Sequence, residues 1–134
     1  MSGRSWVRAL LLAGVAYAAI GIVSAALAGD GHHVRAWRLA AWVASAVVAA
    51  VHMWYEHYRL GSSPRPTALH AAGAVALGAF GLALAANVHW LVAATHGQRP
   101  PLLALPVWPV VTAVPAFLAA LAIAVVLARF GRVR

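Results

Sequence analysis

The sequence predicts an all-α, polytopic membrane protein: a four-transmembrane-helix up-down bundle with both termini on the cytoplasmic side. Three observations predict it. Hydrophobic residues make up 64% of the 134-residue chain and charged residues only 9%, where a soluble domain carries about 25% charged residues. Four apolar runs reach the length of about 20 residues that a helix needs to cross a bilayer. The arginines divide unequally between the two sides that those runs define.

The runs cover residues 6–28, 39–58, 68–94 and 102–128, and they form one domain over 1–134. Breakers separate them. Gly29 and Gly31, with Asp30, His32 and His33, end the first run. Gly61, Pro64 and Pro66 divide the second from the third. Gly97, Pro100 and Pro101 divide the third from the fourth. Glycine and proline end helices because one frees the backbone and the other removes an N–H donor. The linkers are short, so successive helices are expected to lie antiparallel beside one another.

Orientation follows from arginine placement. Arg4, Arg8, Arg59, Arg65, Arg129, Arg132 and Arg134 fall on one side, and Arg35, Arg38 and Arg99 on the other. The richer side is expected in the cytoplasm. Trp6, Trp37, Trp54, Trp90 and Trp108 lie near run ends, as an interfacial belt requires, and Trp42 lies deeper. Arg4 and Arg8, an apolar stretch and Ala26-Leu27-Ala28 also resemble a cleavable signal peptide, whose removal would leave three spans. The stretch exceeds the usual apolar core of about 7–15 residues, which favours a retained span. High alanine content, with arginine in place of lysine throughout, suggests a bacterial origin and hence the inner membrane.

In lipid, small and polar residues mark the buried face, because the surroundings are as apolar as leucine. The first run carries Gly14, Tyr17, Gly21, Ser24 and Ala28 on one helix face. The second carries Arg38, Trp42, Ser45, Ala49, His52, Glu56 and Arg59 on one stripe, expected to face the bundle interior or a partner subunit. The third offers the small-residue pairs Ala74–Gly78 and Gly81–Ala85. In the fourth, Pro106 and Pro109 are expected to keep residues 102–107 non-helical, and Pro115 to kink the helix or free the Val111 carbonyl.

The strongest chemical constellation is His52, Glu56 and His70. His52 and Glu56 share one helix face, and Glu56 is the only glutamate in the chain. Two imidazoles and a carboxylate are a possible divalent-metal donor set. The same groups are a possible proton relay, since histidine changes charge near neutral pH. A haem or chlorophyll-type pigment is possible through His52, His70 or His89. The structural alternatives are a surface pair between Glu56 and Arg59, a helix-bridging hydrogen bond from His52 and an interface cap by His70. Asp30, His32, His33, His89 and His96 form a weaker candidate group on the outer side.

Several classes are excluded. The net charge of +8 comes from arginines at run edges rather than from one basic face, so no nucleic-acid partner is expected. There is no cysteine, which removes disulfides and thiolate sites. No phosphate loop, nucleophile elbow or zinc-protease motif occurs, and an independent enzyme is not expected. Two expectations remain. One is a non-catalytic subunit of a larger inner-membrane complex, holding partners, lipids or a cofactor. The other is a small homo-oligomeric transporter or channel with a proton-coupled path along the second span.

Overall fold

The computed structural model describes residues 4–29, 33–93 and 102–130. Four helices account for nearly all of them: α1 Ser5–Leu27, α2 Val34–Tyr58, α3 Pro64–Val92 and α4 Ala104–Phe130. All four are long and apolar enough to cross a membrane. Among the described residues there is no strand. The expected residues 94–101, with His96, Arg99 and Pro100, and the loop residues Asp30 and His32 lie outside the described residues.

The helices run past the apolar runs at several ends. α2 begins at Val34 rather than residue 39, because Arg35 and Arg38 extend the helix beyond its apolar part without interrupting it. α3 begins at Pro64 rather than residue 68, with proline in its first turn. Proline is tolerated there because that turn's N–H groups have no intrahelical acceptor. The Thr67 N–H and hydroxyl both donate to the Ser63 carbonyl, at 3.2 Å and 3.1 Å, and close that turn.

The same physics corrects the expectation for α4. Only Leu102 and Leu103 precede the helix, and Pro106 sits inside its first turn, where a missing N–H costs nothing. Pro109 and Pro115 lie within one continuous helix. The Thr112 hydroxyl donates to the Trp108 carbonyl at 2.8 Å and lies 3.2 Å from the Pro109 carbonyl, so it serves backbone acceptors between the two prolines.

α3 is the centre of the bundle. It packs most extensively on α4 and α1, while α2 lies chiefly against α1 and touches α3 and α4 little. Successive helices are therefore not always the closest neighbours: α1 and α3 pack far more closely than α2 and α3. The reason is side-chain size. A Cβ at Gly14 would lie 2.5 Å from Leu77, one at Gly73 3.1 Å from Leu10, one at Gly81 3.0 Å from Ala18, and one at Gly21 3.2 Å from Leu82. At Gly78 a Cβ would collide with Tyr17 and stand 3.2 Å from the Gly14 carbonyl oxygen. Only glycine admits so close an approach. These pairs advance together along both helices, so α1 and α3 run parallel.

A small apolar core joins Met53 of α2, Ala68 of α3, and Ala120 and Ala124 of α4, with Ala71, Phe117 and Leu121 around it. It lies at the end of the bundle that carries Arg4, Arg8, Arg59, Arg65 and Arg129, called here the basic end. The start of α3 meets the last part of α4 there, so those two helices are antiparallel.

Candidate functional site

The site lies beside that core, where α2 ends and α3 begins. Gly61 sits in the turn between them at φ 61°, the left-handed region that glycine enters without a Cβ penalty. This reversal brings Ser62 back onto the end of α2. Its N–H donates to the Glu56 carbonyl at 3.1 Å. Its hydroxyl donates to Glu56 Oε2 at 2.8 Å.

The other carboxylate oxygen faces α3. His70 Nδ1 lies 3.1 Å from Glu56 Oε1, and the pair is the only ion-pair geometry among the described residues. Glu56 is 0% exposed and is the largest fully buried side chain among them. The His70 side chain is 19% exposed. Trp6 of α1 stacks on the His70 ring, with centroids 4.5 Å apart and planes 8° from parallel. One carboxylate thus ties together α2, the turn and α3, and through His70 it reaches α1.

His52 lies one turn back along α2 and is 6% exposed. Its Nε2 is buried and has no hydrogen-bond partner. A buried polar nitrogen without a partner is uncommon in a folded chain and calls for an explanation.

The helix register placed His52, Glu56 and His70 near one another, and the structure brings Glu56 and His70 into contact. It overturns the Glu56–Arg59 alternative: both carboxylate oxygens are taken by Ser62 and His70, and Arg59 is exposed. Among the described residues, no three His, Asp or Glu side chains are grouped as a metal site would group them. Ser62 and Trp6 escaped the sequence argument. Ser62 read as part of a breaker and Trp6 as a belt residue; only the Gly61 turn and the α1–α3 approach bring them to the site.

The polar stripe of α2 divides in two. His52 and Glu56 are buried, and Ser45 and Ala49 are half-buried. Arg38 and Arg59 are exposed, and Trp42 is 77% exposed. The expectation that the stripe faces the bundle interior or a partner subunit divides accordingly: His52 and Glu56 face the interior, while Arg38 and Trp42 are left uncovered by this chain. Arg38 instead borders an open groove between α1 and α2, lined also by Gly21, Ser24, Ala28 and Ala41. Gly14, Tyr17 and Gly78 meet in the α1–α3 contact, and Gly21 borders both that contact and the groove.

On the opposite end, His33 precedes α2 and accepts the Trp37 N–H at its carbonyl at 3.0 Å, and His89 is exposed near the end of α3. Of the three histidines considered for a pigment, His52 keeps its Nε2 buried and His70 is engaged by Glu56 and covered on one ring face by Trp6. His89 alone of the three is exposed.

Among the described residues, fold and site define an all-helical bundle of four membrane-length helices in which a buried carboxylate pairs with a partly exposed imidazole at one end. Comparison with family models, with curated proteins and with solved structures finds no match.

Proposed function

We propose that the chain is a multi-pass inner-membrane protein with both termini in the cytoplasm, serving as a non-catalytic subunit of a larger membrane complex. One observation carries the subunit role. α2 is the least apolar of the four candidate spans, and its most apolar stretch holds no buried residue, its buried side chains His52, Met53 and Glu56 all lying near its basic end. Lipid is the poorest solvent for polar residues, so a self-sufficient bundle would cover its most polar helix first. Here the chain leaves Arg38, Leu39, Trp42, Val43 and Val47 exposed along that helix. A partner helix laid on this face would shield the polar stripe. The basic end, with the larger share of arginines, faces the cytoplasm in this orientation.

The test is a native mass and an absorption spectrum of the chain extracted from its own membrane in mild detergent. Co-purifying chains of other sequence, with or without pigment, are the expected result. A colourless assembly of this chain alone would overturn the subunit role. It would favour the second role, a homo-oligomeric transporter with a proton-coupled path along α2, which the sealed Glu56 and partnerless His52 support.

A further inference from the structure

We infer that His52, Glu56 and His70 form a one-proton relay that leads from the basic end of the bundle inward along α2. This holds for either role above, because it concerns three side chains within one copy of the chain.

The starting point is charge balance at a buried carboxylate beside a partly exposed imidazole. Glu56 is fully buried, and no arginine among the described residues lies within ion-pair distance of it. A lone buried carboxylate is strongly disfavoured. Its countercharge must therefore come from a group that carries charge only when protonated. The groups facing it are few. α3 brings His70, and α2 itself brings His52. The turn brings Ser62, and α1 brings Trp6 onto His70, neither of them a charged group. α4 presents Ala120 and Ala124 to the adjoining core.

With both imidazoles neutral and the carboxylate ionised, the site carries one negative charge. One added proton makes it neutral, whichever of the three groups holds it. The proton can rest on His70, leaving an imidazolium–carboxylate pair. It can rest on Glu56, leaving a neutral acid between two neutral imidazoles. It can rest on His52, leaving an imidazolium and the carboxylate on one helix face, beyond direct ion-pair distance. A transfer breaks one N–H or O–H bond, forms another and creates no net charge. A second proton, or none, would leave an uncompensated charge in a buried place.

Geometry gives the relay a direction. His70 is the partly exposed member and lies at the basic end. Glu56 is next, with Oε1 3.1 Å from His70 Nδ1. His52 is four residues earlier on α2, about 6 Å deeper along the helix axis at 1.5 Å per residue. Its buried Nε2 lacks a partner. A buried ring nitrogen left open one helical turn from the carboxylate is what the inner end of such a relay requires. A bridging water can complete the gap, since buried waters characteristically satisfy such atoms.

The test uses the full chain in phosphatidylcholine vesicles at neutral pH. Infrared spectra of glutamate-labelled chain report on Glu56 alone, because it is the only glutamate. Nitrogen NMR of histidine-labelled chain reports the charge of His52 and His70. The expected result is one proton among the three groups: a neutral carboxyl with two neutral imidazoles, or a carboxylate with one imidazolium. A carboxylate with two neutral imidazoles, or two protons in the site, would overturn the inference. The direction is tested by deuterium exchange at the His52 ring. His70→Gln should abolish the fast exchange seen in the unmodified chain, while His89→Gln should leave it intact. Equal exchange in the two variants would sink the inward path. The charge count needs no variant, so it stands even where a substitution prevents folding.

Discussion

α3 packs closely on both α1 and α4, whereas α2 lies chiefly along α1 and meets α3 and α4 little, at its basic end. The grip on α3 is steric. Gly78 meets the α1 backbone at the Gly14 carbonyl and the Ala18 nitrogen, and Gly14, Gly73 and Gly81 leave room for the side chains of Leu77, Leu10 and Ala18. The link between α2 and α3 is polar and local. Glu56, Ser62 and His70 join it to α3, and Met53 inserts into the core beside them. Beyond that point, Trp42, Val43 and Val47 stand clear of the chain. In lipid, packing and hydrogen bonds take over the role that hydrophobic burial plays in water. The two helices use one device each.

The comparison breaks most sharply at Glu56. Glu56→Ala strands the His70 imidazole and the Ser62 hydroxyl. At about 1–3 kcal/mol per stranded group, reduced because His70 and Ser62 are both partly exposed, the loss should be about 2–4 kcal/mol. Reversible unfolding in mixed micelles measures it, and cysteine cross-linking would show α2 parting from α3 while α1 and α3 stay paired. A uniform loosening of all four helices would contradict a local hold.

Gly78→Ala attacks the other device. The new Cβ meets Tyr17 and the Gly14 carbonyl, so α1 and α3 must separate, at about 1–3 kcal/mol for overpacking. The same unfolding assay reads it, and here the α1–α3 cross-link should be the one lost. A neutral outcome would mean that the close approach is not what holds α3.

Ser62→Ala removes one of the bonds to Glu56 and keeps the other. A single hydrogen bond between helices in a bilayer contributes about 0.6 kcal/mol and at most about 1.7. The unfolding free energy should fall by an amount in that range, below that of Glu56→Ala. A loss as large as that of Glu56→Ala would place the whole hold on the turn.

Trp42→Ala should do least to the isolated chain. An exposed side chain changes stability by less than about 0.5 kcal/mol. Its effect belongs to assembly: co-purification of partner chains should fall while the chain's own unfolding is unchanged. Unfolding that shifts strongly would show Trp42 to be covered within the chain itself.

Much of this was legible in the residues. Four long helices followed from four apolar runs, and the break between α2 and α3 from the glycine and prolines at 61, 64 and 66. The nearness of His52, Glu56 and His70 followed from four-residue spacing on α2 and from a short turn to α3. Other features were not legible. Trp6 and His70 lie 64 positions apart, and nothing in their local sequence pairs a tryptophan with that histidine. Proline at 64, 66 and 106 read as breakers, because the rule that proline ends a helix ignores the tolerance of a first turn. The uniform stripe of α2 was a helical-wheel argument, and a wheel cannot say how far along its length a helix is covered.

The buried pair with which the site begins divides the credit clearly. Sequence alone determined that the chain forms long apolar helices and that its one glutamate shares a helix face with His52. Both are consequences of local composition and of 3.6 residues per turn. Tertiary structure decided which partner Glu56 takes, that Trp6 covers His70, and that half of the polar stripe is left outside. Those outcomes depend on how closely α1 and α3 approach, and that distance is set by atoms absent from glycines far apart in the chain.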